Sequence, residues 1–155
     1  MARDILLIVY NRSLFKAHWA IYIPSLADPG IGKKIHVQGD VLNGFTLQFM
    51  RNYCLNSEPL THQEVPIGRV ADEFVVDGPG GDEVPDVTPT DRIEEVALSV
   101  AAPGPSMNSA SNGPPTGKAQ LRDCQSWVID MVAALVCQGI VAEEAKEVVQ
   151  NAPKH

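Results

Sequence analysis

The chain has 155 residues, enough for one domain whose single core buries roughly two thirds of the surface its unfolded form exposes. Nineteen acidic against 12 basic side chains give a net charge of −7, which opposes phosphate backbones and anionic headgroups, so no nucleic-acid partner is expected. No apolar run approaches the length of about 18 residues that a membrane helix needs, and the longest, Ile5 to Tyr10, lacks the cleavage site of a secretory signal, which predicts a cytoplasmic protein with no stable membrane insertion.

Ile5 to Tyr10 is a continuous, β-branched-rich run followed by Asn11-Arg12-Ser13, and it predicts a buried strand ending in a turn. A second strand is expected over Ala17 to Ile23, closed by Pro24 and the turn residues Asp28-Pro29-Gly30, and a third over Lys33 to Gln38. Gly44 to Arg51, where Phe45, Leu47 and Phe49 alternate with polar residues, and Glu64 to Arg69 predict two more. From about residue 78 to 118 the chain is poor in core material, with Gly, Pro and acid over Gly78 to Thr90 and Pro, Gly, Ser and Asn over Pro103 to Gly117. The acidic part is expected to form a solvated loop acting as a lid. Between these stretches Asp91 caps a short predicted helix to Leu98, with Ile93, Val96 and Ala97 on one side.

The clearest helix follows. Trp127, Val128, Met131, Val132, Leu135 and Val136 draw one apolar stripe, with Asp123 as its cap and Gly139 as its stop. A last short helix is expected over Ala142 to Gln150, presenting Ala145, Val148 and Val149 to the same core. Of the three cysteines, an odd number that fits reduced thiols, Cys124 lies on the stripe in the first turn; Cys54, expected in a loop, and Cys137, near a helix end, read as structural.

Two histidines give the chain a candidate site. If the second and third strands pair about Ala27, residues whose numbers sum to 54 lie opposite, so His18 and His36 stand side by side with Cβ atoms roughly 5 Å apart. Alternation puts His18, Ala20 and Tyr22 on one face and Trp19, Ile21 and Ile23 on the other, with Lys34, His36 and Gln38 on the more polar face of the third strand. Cys124 at a helix start is favoured as a thiolate, His18 can take its proton, and His36 can hold the His18 ring in the useful tautomer. The Cys124 N–H, with Gln125 or Tyr22, is the candidate oxyanion donor, and Trp19 is a candidate substrate contact. No cofactor is called for.

These stretches, His18 to Ile23 (HWAIYI), Lys34 to Val37 (KIHV) and Arg122 to Val128 (RDCQSWV), resemble the motifs of the lecithin retinol acyltransferase-like proteins in the circularly permuted branch of the NlpC/P60 papain-like superfamily. The likeness covers about two thirds of the chain and is most specific in the order His, His, Cys. It implies an α+β fold with a small antiparallel sheet packed against a C-terminal helix that bears the nucleophile. It also implies hydrolysis or acyl transfer on a small-molecule, lipid or peptide acyl substrate. Asp123 stands where the likeness leads one to expect Asn, and Gln125-Ser126-Trp127 where Glu-His-Phe often follows.

Other chemistries fit the same residues. Two imidazoles and a thiolate can hold Zn²⁺ with an open fourth position, but the spacing has no close ligand pair and no metal is expected. A non-covalent cyclase or isomerase of small-molecule biosynthesis would use the histidines as acid and base, and a degenerate module would only bind.

Overall fold

The computed structural model describes residues 2–11, 16–28, 30–40, 42–57, 61–78, 80–104 and 123–155. Arg12 and Ser13 of the first expected turn, Pro29 of the second, residues 105–117 of the Pro/Gly-rich stretch and Arg122 lie outside them.

Among the described residues six strands form one antiparallel sheet: β1 (Ala2–Tyr10), β2 (His18–Pro24), β3 (Ile31–Asp40), β4 (Gly44–Cys54), β5 (His62–Ala71) and β6 (Val84–Asp86), in the spatial order β5-β1-β2-β3-β4-β6. Three α-helices follow among the described residues, α1 (Arg92–Ser99), α2 (Cys124–Cys137) and α3 (Glu144–Gln150), and the class is α+β. β1 lies inside the sheet between β5 and β2, which is why its sequence is a continuous apolar run rather than an alternation.

Alternate residues of the inner strands divide between two cores. Ile5, Leu7 and Val9 of β1, Trp19, Ile21 and Ile23 of β2, and Ile35 and Val37 of β3 pack on the helix side with Trp127, Val128, Met131, Val132 and Leu135 of α2. Ile8, Tyr10, Ala20, Tyr22, Tyr53 and Leu55 form a second buried cluster on the opposite face.

α2 begins and ends as its sequence predicts. The Asp123 carboxylate accepts from the N–H groups of Gln125 and Ser126 while the Ser126 hydroxyl accepts from the Asp123 N–H, a reciprocal cap. At the other end Gly139 takes a left-handed φ of 73°, and the pair Gly139 N–H to Val136 O and Ile140 N–H to Leu135 O closes the helix.

Three expectations need correction. The β2–β3 register runs through Ile21↔Ile35, Tyr22↔Lys34 and Ile23↔Lys33, sums of 56 rather than 54, so His18 and His36 are diagonal neighbours and not direct partners. The turn is closed by Ser25 N–H to Ile31 O and by the Asp28 carboxylate accepting from the Gly30 N–H, which moves its centre one residue past Ala27. Cys54 is the last residue of β4 and not part of a loop.

The acidic segment is no free lid either. Val84–Asp86 pairs with Phe49 to Arg51 as the sixth strand, Arg51 binds the Asp86 carboxylate, and the Asn52 side chain binds the Gly80 backbone on both sides and the Asp82 carbonyl. This places it at the end of the sheet where β2 finishes, away from His18.

Among the described residues, no helix is long and apolar enough to cross a membrane.

Candidate functional site

His18 opens β2 and His36 lies in the inner part of β3, both on the face away from the helices. The diagonal offset still lets the rings meet, with His18 Nε2 and His36 Nδ1 2.9 Å apart and ring centroids 5.2 Å apart. His36 is buried, and its other nitrogen, Nε2, is 3.1 Å from Gln48 Oε1 on β4, its in-register partner.

The cluster continues past His18. Tyr10, paired with both His18 and His62 in the ladders, has its ring 5.6 Å from His18 and 6.1 Å from His62. Its hydroxyl is 2.9 Å from that of Tyr53, and the Lys34 ammonium lies 4.6 Å from the centre of each of these two rings. Gln48, Tyr10 and His62 are not among the candidates that the sequence singles out. The hairpin about the Gly39-Asp40 to Gly44 turn is the signal that would have found Gln48, because pairing about residue 42 sets 36 against 48.

Cys124 is the first residue of α2, buried at 7% exposure, and belongs to the helix-side core. The next side chain ties this helix start to the mouth of β2: Gln125 Nε2 donates to the Ala17 carbonyl at 2.8 Å and to the Lys154 carbonyl at 2.9 Å. Cys124 and His18 are thus each one residue away from the two ends of a single buried hydrogen bond. Asp123, beside the thiol, is engaged as the helix cap and has Lys16 Nζ 3.6 Å from its carboxylate.

The remaining candidates have structural duties. Both amide hydrogens of Gln125 are engaged by carbonyls, so its side chain is a tie and not an oxyanion donor. Trp19 is fully buried on the helix side, donates through Nε1 to the Pro153 carbonyl at 2.9 Å, and carries Lys154 over its ring, so it fastens the C-terminal segment. Tyr22 shares His18's face but stands four residues further along the strand, about 13 Å away. Burial, and then the charges of Cys54, Glu64 and Asp28, push its hydroxyl pKa up, so it stays protonated.

A cavity of about 250 Å³ opens at the other end of the sheet, lined in part by Asp28, Lys33, Arg51, Asn52 and Asp77. Its cations are paired: Lys33 contacts Asp91 and Glu94, and Arg51 binds both oxygens of the fully buried Glu94 at 2.7 and 2.9 Å. Burial pushes the Glu94 carboxyl up, but the Arg51 bonds and the Lys33 charge outweigh it and hold the carboxyl below the ordinary range. Among the described residues no group of three or more His, Cys, Asp or Glu side chains is arranged to hold a metal ion.

The fold and this geometry define an α+β protein with a coupled histidine pair at the start of an inner strand and a cysteine at the start of the helix tied to it. The chain belongs to DUF6540, a family of unknown function whose model matches residues 5–142. No curated protein and no solved structure matches it.

Proposed function

We propose that the protein is a thiol-dependent hydrolase or acyltransferase, built on a permuted papain-like plan, that works on an ester, thioester or amide carbonyl. The observation that carries this reading is the 2.9 Å contact between His18 and His36 at the very strand mouth to which the start of α2 is tied through Gln125 and Ala17. Because Cys124 counts with the helix-side core and the rings with the other face, this reading requires thiol and imidazole to come together around the end of β2 and not through the sheet. The likeness of HWAIYI, KIHV and RDCQSWV to the lecithin retinol acyltransferase-like motifs supports the same assignment.

In this reading His18 removes the Cys124 proton and the thiolate adds to the acyl carbon. The oxyanion is held by the Cys124 N–H, because those of Gln125 and Ser126 serve the Asp123 cap. Collapse expels the alcohol, thiol or amine, which takes the proton from the His18 imidazolium. Water or an acceptor hydroxyl or amine, deprotonated by His18, then attacks the acyl-enzyme, and the thiol is regenerated. His36 steadies the His18 ring throughout.

The test is hydrolysis of a panel of acyl thioesters and aryl esters of graded chain length. Cys124→Ser is expected to lower turnover by about a thousandfold or more, and His18→Ala by about a hundredfold or more. Full activity in Cys124→Ser would overturn the covalent route.

A second reading, acid–base cyclisation or isomerisation without a covalent intermediate, is favoured by one observation. The histidine pair shares its face with Tyr10, Tyr53 and Lys34, and the thiol does not. There Cys124→Ser leaves most of the activity and His18→Ala removes it.

A further inference from the structure

We infer that Gln48 is a positioning residue that decides which nitrogen of His18 carries the lone pair. The Gln48 carbonyl oxygen 3.1 Å from His36 Nε2 can only accept, so that nitrogen bears the hydrogen. Neutral His36 then has its lone pair on Nδ1, which is 2.9 Å from His18 Nε2, and His18 must donate through that nitrogen. Neutral His18 is left with its lone pair on Nδ1. The whole sequence of donors, His18 to His36 to Gln48, runs in one direction.

Two features suit Gln48 to this task. It is the in-register partner of His36 on an inner strand pair, next to the fully buried Phe49, so its backbone is fixed by the ladder and not by a loop. It is also uncharged, so it orients His36 without drawing a second proton onto the ring as a carboxylate would. Turning the amide over would present its NH₂ group instead, and every donor would reverse. His36 would then donate from Nδ1 to His18 Nε2, and His18 would hold its hydrogen on Nδ1, where it could accept no proton. The orientation of one amide therefore switches the base on or off; this consequence for the thiol rests on the acyl-transfer reading above, whereas the tautomers do not.

The experiment reads imidazole nitrogens directly, by long-range proton–nitrogen correlation on ¹⁵N-labelled full-length protein at a pH where both rings are neutral. In the unaltered protein, Nε2 of His18 and of His36 should show pyrrole-type shifts, and Nδ1 of each ring pyridine-type shifts. Gln48→Leu, at a half-buried position, should mix the two tautomers of His36, and Gln48→Glu, which keeps an acceptor oxygen, should restore the original pattern once the pH is raised far enough to remove the second proton its carboxylate draws onto the ring. Turnover on the best acyl substrate should fall about tenfold in Gln48→Leu and recover in Gln48→Glu only at a pH high enough to keep His36 neutral beside the new carboxylate. A pyrrole-type Nδ1 in His18, or tautomers unchanged in Gln48→Leu, would overturn the inference whatever the thiol does. Tautomers as stated, with a Cys124 inert to electrophiles, would bring down the thiol chemistry alone and leave the role of Gln48 standing.

Discussion

His36 has both ring nitrogens committed, one to His18 and one to Gln48, and it is buried, so its orientation is far more restricted than that of a surface histidine. His36→Ala should therefore leave the fold intact while lowering acyl turnover by about a hundredfold, because His18 loses the ring that fixes its tautomer. Circular dichroism alongside the rate separates this from unfolding. Glu94 is the second residue on which a clear expectation rests. Its folded pKa is depressed, so its contribution to stability is complete above the usual glutamate range and is lost as pH falls through the lowered folded value. Glu94→Gln leaves Arg51 and Lys33 buried without their shared anion. Urea midpoints should show a loss of about 3 to 5 kcal/mol at neutral pH and a shallower decline on acidification than in the unaltered protein.

At the scale of the element, α2 sets the state of its own first residue. The Asp123 carboxylate caps the helix and also puts a negative charge beside Cys124. Asp123→Asn keeps an acceptor for the Gln125 and Ser126 N–H groups and removes the charge, so thermal stability should change little while electrophile labelling of Cys124 quickens by about threefold. Asp123→Ala should cost about 1 kcal/mol of stability, read from the unfolding midpoint. Helices and strands of this chain were legible because their periodicities are strong: the α2 stripe, the Asp91 and Asp123 caps and the Gly139 stop all appear where local chemistry puts them. Register was less legible. The offset of one residue in the β2–β3 turn comes from the Asp28 side chain bonding the Gly30 N–H, and that shift separates direct from diagonal pairing of two histidines without separating their rings. The acidic stretch misled for a related reason, since three residues of strand held by Arg51, next to a Gly80 and Asp82 backbone held by Asn52, leave almost no periodic trace.

Across the whole molecule, the start of β2 is where distant parts of the chain are joined. Ala17 N–H donates to the Lys154 carbonyl, Trp19 Nε1 to that of Pro153, and Gln125 to those of Ala17 and Lys154. No local pattern reveals such contacts, because a tryptophan on a core face gives no sign that its N–H meets a carbonyl 134 residues later. Deleting residues 153–155 should leave these buried donors short of acceptors, with a loss of about 3 kcal/mol in the denaturant midpoint and a parallel loss of activity from a strand mouth no longer held to α2. Restoring stability with an osmolyte should recover the fold but not the full rate.

The pH dependence of alkylation, followed thiol by thiol through peptide mapping, bears most directly on whether sulfur and imidazole act together. Exposed Cys137 and half-buried Cys54 serve as internal references. Cys124 is expected to react fastest despite its burial, with an apparent pKa below those of both references, and to lose that advantage in His18→Gln. Equal or slower reaction of Cys124 at every pH, unaltered by the His18 substitution, would contradict the account.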